Sequence, residues 1–391
     1  MERKKIAVLL PWLKMGGTNK VAIRFMEELV QFYDVTLVLS QNTGELLGEI
    51  PKGVHTVIDE ITPFSAMFKK DVQQFRIINV VRDIIYYLRV KTGRDSIDNY
   101  LYVVKRHSYI LDDVFDCAIS YHGQSPERLL NLIYRIHSKK KVVWIHGEMS
   151  FSKDQCKRME KYYRRMDHFF FVSNQTKESF FQKVHIDLSK TTIYYNPLKS
   201  QEIIEKSREE MDEKFDRESI NLLTVGRVSA EKGQDMIPGI VRNLNNKGYQ
   251  VRWYIIGDGP NMGKLKDLIK KENVDNKVIL LGVKNNPYPY MKACDIYIQP
   301  SYTEGYSTTI CEAGVLGKAI IGTKPSGGIR DQIVNGENGL IVNASIEGLE
   351  QGIVKLLRDP VLIKKFEQNI LKKDFEGKGE IKKFINYIED K

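Results

Sequence analysis

Two glutamates bracket the stretch EGYSTTICE, which begins at Glu304 and ends at Glu312. An ionised carboxylate accepts hydrogen bonds from neighbouring hydroxyl groups, so this pair suits a ligand with vicinal hydroxyls, such as a sugar. The stretch follows an apolar run that ends at Pro300, and we expect a helix to begin near Ser307. Backbone N–H groups at a helix start favour an anion. A glutamate pair at this spacing also occurs on ordinary helix surfaces.

Two cations occupy a similar position after another apolar run. Arg227 and Lys232 lie in VGRVSAEKGQD, and two cations on one short loop can converge on a diphosphate. Exposed charges are also common on any protein surface. The adjacent Gly226 and Gly233 favour a ligand site, because glycine lets the backbone approach closely. Gly257, in YIIGDGP, marks a third loop of this kind.

The first apolar run, IAVLLPWL, leads into Gly16 and Gly17 and then into a helical pattern with Thr18 as the expected cap. A second apolar run, DVTLVLS, follows. The order of strand, glycine turn, helix and strand predicts a right-handed βαβ unit of a parallel sheet. The glycine pair is not the G-x-G-x-x-G pattern of dinucleotide sites, which disfavours NAD.

Apolar runs of strand length recur along the whole chain and alternate with helical patterns. They begin near residues 6, 116, 141, 168 and 191, and then near 221, 251, 277, 294, 318 and 339. This alternation predicts an α/β fold with two doubly wound, Rossmann-like parallel-sheet domains. A charged segment, 199–219, reads as a helix and a linker. We therefore predict a first domain at 1–197, a second at 198–373, and a C-terminal helix within 374–391.

The composition indicates an anionic partner but does not identify which kind. The 391 residues carry a formal charge of +10, which suits nucleic acid, a phosphorylated ligand or an acidic membrane surface. The four cysteines form no C-x-x-C pair, which argues against a disulfide framework or a zinc site. The basic start mimics a signal peptide, but Pro11 interrupts its short apolar run. With no apolar run long enough to span a membrane, we expect a soluble or peripheral protein.

Residues 64–110 interrupt the strand pattern. This segment is helical in pattern, basic and rich in aromatic residues. One interpretation is a set of packing helices with basic outer faces. The other is a surface that binds anionic lipid or admits an acceptor.

These motifs together resemble the retaining nucleotide-sugar glycosyltransferases of family 4, which have the GT-B fold. The resemblance rests on pieces in the same order as in that family: MGGTNKVA, VVWIHGE, FFVSNQTKESF, IYYNPL, VGRVSAEKGQDMI, IIGDGP and EGYSTTICEAGVLGKAIIGTKPSGGIRDQI. The second half carries the more specific motifs. The resemblance implies two domains that face each other across a cleft, closure about the linker, and a last helix that crosses back to the first domain.

The resemblance also implies roles for single residues. Arg227 and Lys232 match the cations that hold the donor diphosphate, and Glu304 matches the glutamate that contacts the donor sugar at the reaction centre. Glu312 matches the glutamate that binds the ribose hydroxyls. The remaining matches are also donor contacts or lie near the sugar. Gly16, Gly17, Gly305, Tyr306 and Ser307 match the loops near the phosphates, Val283 matches the contact with the base, and His146 matches the histidine near the transferred sugar. Gly257 is a further donor-binding residue. Thr18, Asn19 and Lys20 depart from the family pattern, which leaves the acceptor contacts open.

The expected reaction moves a hexose or N-acetylhexosamine from a nucleotide sugar and retains the configuration of the anomeric carbon. We expect a UDP-sugar as donor in preference to a GDP-sugar. No D-x-D triplet is present, so we expect no metal and no other cofactor. The expected acceptor is a lipid-linked bacterial surface polysaccharide such as capsule, which places the enzyme on the inner face of the cell membrane.

Three alternatives stay open at this point. The chain could transfer a sugar to a small soluble acceptor. A basic nucleic-acid binder is disfavoured, because no such motif appears and the aromatic residues do not lie on a β platform. A nucleotide-sugar epimerase is disfavoured by the order of the motifs.

Overall fold

The computed structural model describes residues 2–59, 64–91, 96–106, 110–147, 149, 151–324, 328–377 and 379–390. The strands in these residues are β1 Lys5–Leu10, β2 Asp34–Leu39, β3 Val54–Ile58, β4 Phe115–Ser120, β5 Ser138–Ile145, β6 His168–Phe171, β7 Thr191–Ile193, β8 Ile220–Val225, β9 Val251–Ile256, β10 Val278–Gly282, β11 Ile296–Gln299, β12 Ala319–Thr323 and β13 Leu340–Val342. The α-helices are α1 Gly17–Leu29, α2 Phe64–Gln73, α3 Ile77–Lys91, α4 Ser96–Arg106, α5 Pro126–Arg135, α6 Lys153–Tyr163, α7 Asn174–Phe181, α8 Ser200–Lys206, α9 Ile237–Asn246, α10 Met262–Lys271, α11 Tyr288–Ala293, α12 Thr308–Val315, α13 Ile329–Gln332, α14 Ile346–Arg358, α15 Pro360–Ile370 and α16 Glu380–Ile388. Short 3-10 turns lie at Leu47–Glu49, Leu188–Lys190, Ala230–Lys232 and Gln234–Met236.

The chain divides into two compact units. The first unit comprises Met1–Phe171, Lys177–Tyr194 and Ile381–Lys391, and the second comprises Val172–Thr176 and Tyr195–Glu380. The sequence placed the first boundary at residue 197 and the start of the terminal segment at residue 374. In the first unit α16 buries Phe384 completely, and its ring meets Phe25 of α1 edge-on at 5.2 Å.

The first unit holds a seven-stranded sheet in the order β3-β2-β1-β4-β5-β6-β7. Its neighbouring strands pair in parallel, from Lys5 opposite Asp34 to Phe171 opposite Ile193. The helix α1 forms where the spacing predicted it, and Val21, Phe25, Met26 and Leu29 are buried on one of its faces, as expected for residues three and four apart.

The edge strand β3 has no counterpart among the predicted strands. Its five residues, VHTVI, are half-buried or exposed, and they pair with β2 alone. An edge strand packs fewer side chains than a central one, so it lacks the continuous apolar run on which the prediction depended.

The second unit holds a six-stranded parallel sheet in the order β10-β9-β8-β11-β12-β13. Alternate residues of its strands enter two different cores. On β9, Trp253 and Ile255 belong to one core, whereas Tyr254 and Ile256 belong to the other. Because successive side chains point to opposite faces, helices must cover both faces of this sheet. The prediction of two doubly wound parallel sheets is therefore confirmed.

Between β3 and β4 the first unit carries α2, α3 and α4, where the sequence predicted a helical insertion. Parts of the predicted segment, 92–95 and 107–109, lie outside the described residues. No helix in the described part of the chain has the length and apolar character needed to cross a membrane.

Candidate active site

The second unit reverses its strand order between β8 and β11, and the loops that follow these strands carry the predicted cations and carboxylates. In open α/β sheets, ligands bind outside the carboxyl ends of the strands at such a reversal. The β8 loop, residues 226–236, contains Arg227 and Lys232. The β11 loop, residues 300–307, contains Glu304 and leads into α12. The sheet thus brings together two stretches that are about 70 positions apart in the chain.

Backbone contacts tie these two loops together. The Tyr302 N–H donates to the Glu231 carbonyl at 2.8 Å. Gly233 adopts φ +68°, and a Cβ built there would lie 2.2 Å from the Pro300 carbonyl oxygen. Only glycine fits this position without displacing one of the loops. The position of Lys232 therefore depends directly on the residue that follows it.

A side-chain ion pair closes the same junction. Lys232 Nζ lies 2.5 Å from Glu304 Oε2, and both side chains are largely shielded, with 22% and 14% of their surface exposed. Ser301 Oγ also donates to Glu304 Oε2, at 3.2 Å. The pair holds a cation and a carboxylate side by side, and the diphosphate and sugar roles of these residues stay predictions.

Arg227 occupies a more open position on the β8 loop. Its guanidinium lies 3.1 Å from Glu231 Oε1, and its side chain is 68% exposed. Burial alone would raise the pKa of Glu231, but hydrogen bonds from Ser229 and Arg227 outweigh this and hold it below its ordinary value. Glu231 is therefore an anion beside Arg227. An exposed pair of this kind contributes little stability, so the guanidinium is available to a stronger anion.

The helix α12 begins as predicted. Ser307 is its N-cap, and the Ser307 hydroxyl accepts from the Ile310 N–H at 3.4 Å. The fully buried Gln332 holds the same residue from α13: its amide nitrogen donates to the Ser307 carbonyl at 2.6 Å, and its oxygen accepts from the Ser307 N–H at 3.3 Å. The Ser307 N–H therefore already has a partner, and a phosphate would have to compete for it.

The Gly305 carbonyl is also fixed. It accepts from the Gly328 N–H at 2.7 Å and from the Ser173 hydroxyl at 3.0 Å. Tyr306 packs its ring on Tyr195, with centroids 5.5 Å apart. The β11 loop is therefore held on both sides, and its remaining amides keep a defined orientation.

Glu312 lies on the second turn of α12 and is 9% exposed. The Tyr288 hydroxyl donates to Glu312 Oε1 at 3.4 Å, which brings the start of α11 next to α12. Val283, at the start of the loop that precedes α11, is 65% exposed. The predicted roles of Glu312 at the ribose and of Val283 at the base stay predictions.

The backbone geometry alone explains why residue 257 is a glycine. Its φ is +140°, and a Cβ built there would lie 2.0 Å from the Gly226 carbonyl oxygen. Glycine is thus required for the close approach of two backbone loops, and this explains the residue without a ligand. Its predicted contact with the donor stays a prediction.

In the first unit, Gly16 and Gly17 follow β1, which pairs with β4 where this sheet also reverses its order. Gly16 caps α1 in an extended conformation. His146 follows β5, and its ring lies 4.6 Å from that of Tyr121 and 6.0 Å from that of His122. Both ring nitrogens of His146 are buried, next to the backbone of Tyr121. The predicted contact of His146 with the transferred sugar stays a prediction.

Three buried histidines make the stability of the protein sensitive to acid. Burial lowers the pKa of His146 well below its ordinary value, and the neighbouring His122 lowers it further. Burial, aided by Arg128, lowers the pKa of His122 to about 4. Burial, aided by Lys140, lowers the pKa of His168 to about 4.

The unfolded chain takes up protons near pH 6.5 that the folded chain refuses, so we expect the free energy of unfolding to fall as the pH falls from about 6.5 towards 4. Each histidine contributes about 1.4 kcal/mol per pH unit in that window. Urea unfolding at a series of pH values measures this slope. His122→Gln removes one of these histidines, so the free energy of unfolding should change less with pH, by about 1.4 kcal/mol per pH unit. An unchanged slope would show that His122 titrates normally in the folded protein.

Three residues that hold the site were not singled out from the sequence: Gln299, Ser301 and Gln332. Gln299 ends β11 and accepts from the Tyr297 hydroxyl at 2.9 Å and from the Thr309 hydroxyl at 3.1 Å. A polar residue at the end of an otherwise apolar strand is a usable signal for Gln299. Gln332 gave no such signal, because its partner Ser307 lies 25 positions away.

No three His, Cys, Asp or Glu residues within the described ranges are grouped so as to hold a metal ion. Metal independence of the reaction stays a prediction.

Comparison with known proteins agrees with this fold. Residues 205–373 match the family model described as "Glycosyl transferases group 1". The structure also superposes on the crystal structure of Anabaena HepE in complex with UDP and glucose, with a TM-score of 0.72 and 16% sequence identity, over 99% of this chain and 100% of the other. At that identity the superposition shows the shared fold alone.

Two curated relatives match parts of the chain. A Campylobacter jejuni enzyme, the N-acetylgalactosamine-N,N'-diacetylbacillosaminyl-diphospho-undecaprenol 4-alpha-N-acetylgalactosaminyltransferase, is 30% identical over 193 residues, which is 49% of this chain and 50% of the relative. The Staphylococcus aureus protein CapJ is 32% identical over 152 residues, or 37% of each chain. The chain thus spans about half the length, or less, of these relatives. With the fold and the family match over residues 205–373, these relatives support the predicted resemblance to the GT-B glycosyltransferases.

Proposed function

We propose that this protein is a retaining glycosyltransferase that moves a hexose or N-acetylhexosamine from a UDP-sugar to a hydroxyl group of a lipid-linked surface glycan. The observation that carries this proposal is the Lys232–Glu304 pair at the strand reversal of the second unit. A cation for the diphosphate and a carboxylate for the sugar lie in contact there, on two loops that the backbone ties together.

The electrostatics of the β8 loop suit the departure of a nucleoside diphosphate. As the bond between the anomeric carbon and the phosphate oxygen breaks, negative charge builds on the diphosphate. Lys232, held by Glu304, stabilises that charge from a fixed position, which lowers the barrier because no reorganisation is needed. The exposed Arg227 supplies a second cation. The start of α12 adds the partial positive charge of a helix N-terminus. These groups serve the purpose that a metal ion serves elsewhere, so we propose a reaction without a metal.

Retention of configuration follows if the acceptor attacks from the side that the diphosphate leaves. The acceptor oxygen bonds to the anomeric carbon through an oxocarbenium-like state, and its proton passes to the departing phosphate oxygen. Glu304 then orients the sugar and forms no covalent bond to it. Glu312, half-way along α12, accepts hydrogen bonds from the ribose hydroxyls of the donor.

The proposed acceptor is supported by the name of one relative. The Campylobacter jejuni enzyme acts, by its name, on a saccharide carried by diphospho-undecaprenol. An acceptor of this type lies in a membrane, so we propose that the protein works as a peripheral protein at the inner face of the cell membrane. Capsule or a related surface polysaccharide is the product that fits this acceptor.

Donor hydrolysis tests the proposed reaction without knowledge of the acceptor. The purified protein is incubated with a panel of UDP-sugars and GDP-sugars in the presence of EDTA, and the released nucleoside diphosphate is measured. We expect hydrolysis of one or a few UDP-sugars, unaffected by EDTA. Turnover that requires an added divalent metal would contradict the metal-free reaction, and a GDP-sugar preference would correct the donor.

A small soluble acceptor is the second candidate. Transfer to free sugars or small alcohols at the same rate with and without lipid would favour it over a lipid-linked glycan.

A further inference from the structure

The helix α3 presents an apolar face to solvent. Six large aliphatic residues recur along one side of it and are between 46% and 73% exposed: Ile77, Ile78, Val81, Ile84, Ile85 and Leu88. Their spacing of three and four positions places them on a single stripe. Phe75, at the turn between α2 and α3, is 88% exposed. A contiguous apolar surface of this kind marks a place where a partner binds.

Among the side chains that the structure describes on α2 and α3, the exposed charges have one sign. The acidic residues of α2 and α3 are Asp71 and Asp83, and both are buried, at 3% and 0% exposed. Lys69, Lys70 and Arg82 are exposed on the same helices. The surface that these two helices offer to a partner is therefore apolar and basic, which complements an anionic lipid surface.

The buried acids hold the helices in this arrangement. Arg106 of α4 pairs with both Asp71 and Asp83, which joins α2, α3 and α4. The Tyr102 hydroxyl of α4 donates to Asp83 Oδ1 at 2.5 Å. Tyr86 of α3 stacks on Tyr102, with ring centroids 4.9 Å apart. The polar side of α3 is thus fixed on α4, which leaves the apolar stripe facing outwards.

We propose that α3 lies in the plane of an anionic membrane, with its aliphatic stripe and Phe75 in the interfacial region and the surrounding cations on the lipid headgroups. The helix has 15 residues, whereas a spanning helix needs about 20, so α3 rests on the bilayer and does not cross it. A second copy of the chain is the other possible occupant. The exposed cations Lys69, Lys70 and Arg82 oppose that, because two copies of this face would repel each other.

This inference rests on the proposed function in one respect: membrane binding would bring the enzyme to a lipid-linked acceptor. The binding itself is independent of the reaction and is measured without nucleotide sugar. The probes are vesicles of phosphatidylcholine alone and vesicles of an equal mixture of phosphatidylcholine and phosphatidylglycerol. Co-sedimentation at low and at high salt gives the affinity.

The test variant is Ile77→Gln with Ile84→Gln, which keeps good helix formers and removes two aliphatic side chains from the stripe. The matched control is Leu188→Gln with Val361→Gln, whose side chains are 61% and 77% exposed outside the insertion. We expect the test variant to bind mixed vesicles at least about tenfold more weakly. The control should bind as the wild type does. Circular dichroism and thermal unfolding show whether both variants fold.

Two further variants test separately the role of the cations and the entry of Phe75 into the bilayer. Lys69→Gln with Lys70→Gln should weaken binding to mixed vesicles by about fivefold per charge and reduce the dependence on salt. In a Phe75→Trp variant, the added tryptophan emission should shift to shorter wavelength with mixed vesicles and stay unchanged with phosphatidylcholine alone.

Equal binding by the test variant and the control, or an unshifted Phe75→Trp emission, would overturn the proposal. A dimer that the Ile77→Gln and Ile84→Gln changes dissociate would assign the stripe to a second copy instead. Hydrolysis of the donor in solution should be the same in all these folded variants. If wild type binds vesicles but hydrolyses no donor, the proposed function fails while the membrane surface stands.

Discussion

Replacing Lys232 with methionine is expected to lower the turnover of a nucleotide sugar by about 10²–10³-fold, the loss typical when one preorganised group is removed from developing charge. Methionine keeps the length of the side chain and removes only its cation. The effect should appear mainly in kcat, because the diphosphate carries more charge in the transition state than in the bound donor. Initial rates of donor hydrolysis over a range of donor concentrations separate kcat from KM.

The matched control for this variant is Lys277→Met. Lys277 precedes β10, at the opposite edge of the same sheet, where its ammonium group donates to Gln250 at 3.3 Å. We expect its turnover to stay within about twofold of the wild type, as for a surface charge that contributes little. Equal losses in the two variants would assign the effect to net charge and remove Lys232 from the site.

Glu304→Gln extends the same experiment. Because Lys232 and Glu304 contact each other, the double variant should lose less than the product of the two single losses. Independent, fully multiplicative losses would show that the two side chains do not act on one ligand.

Replacing Gly233 with alanine is the second change for which we expect a large effect. The new Cβ would lie 2.2 Å from the Pro300 carbonyl, at a φ of +68° that side chains rarely adopt. One of the two loops must move, and the free energy of unfolding should fall by about 2–3 kcal/mol. Displacement of Lys232 by about 1 Å should lower turnover by about 10²-fold. Urea unfolding and donor hydrolysis measure the two effects on one sample.

Gly263→Ala provides the control for the chemical change itself. Gly263 lies in the first turn of α10, and a Cβ built there would meet no atom within 4 Å. Alanine is the better helix former, so stability should stay the same or rise by up to about 1 kcal/mol. If Gly233→Ala were as harmless as Gly263→Ala, the close contact between the β8 and β11 loops would not exist in solution.

The sequence was sufficient to predict the central strands and the loops that end them. A buried parallel strand needs a continuous apolar run, and Arg227, Lys232 and Glu304 stood within a few positions of the end of such a run. The helix start at Ser307 was also predictable, because a serine before an apolar stretch is a common N-cap. Arg227, Lys232 and Glu304 could therefore be assigned to one sheet edge before their contacts were known.

Other features depend on pairs that are distant in the chain, and no local pattern encodes them. The ion pair between Lys232 and Glu304 requires β8 and β11 to be neighbours, which the alternation of strands and helices does not specify. The hydrogen bond from Gln332 to the Ser307 carbonyl likewise joins residues that are distant in the chain.

The α3 stripe could not be located either. Its pattern predicted a basic helical insertion that either packs or binds lipid or an acceptor, and periodicity alone does not show whether an apolar face is buried or exposed. Burial of Asp71 and Asp83 against Arg106 decides this, because it fixes the polar side of α3 inwards.

Calorimetric titration of UDP into the wild-type protein and into the Lys232→Met variant, both in EDTA, tests the central claim most directly, because it requires neither the sugar nor the acceptor. We predict that the wild type binds UDP without a metal and that Lys232→Met binds it at least about tenfold more weakly, while Lys277→Met binds it as the wild type does. Absence of binding by the wild type, or equal affinity in all three proteins, would contradict the assignment of the β8 and β11 loops as the donor site.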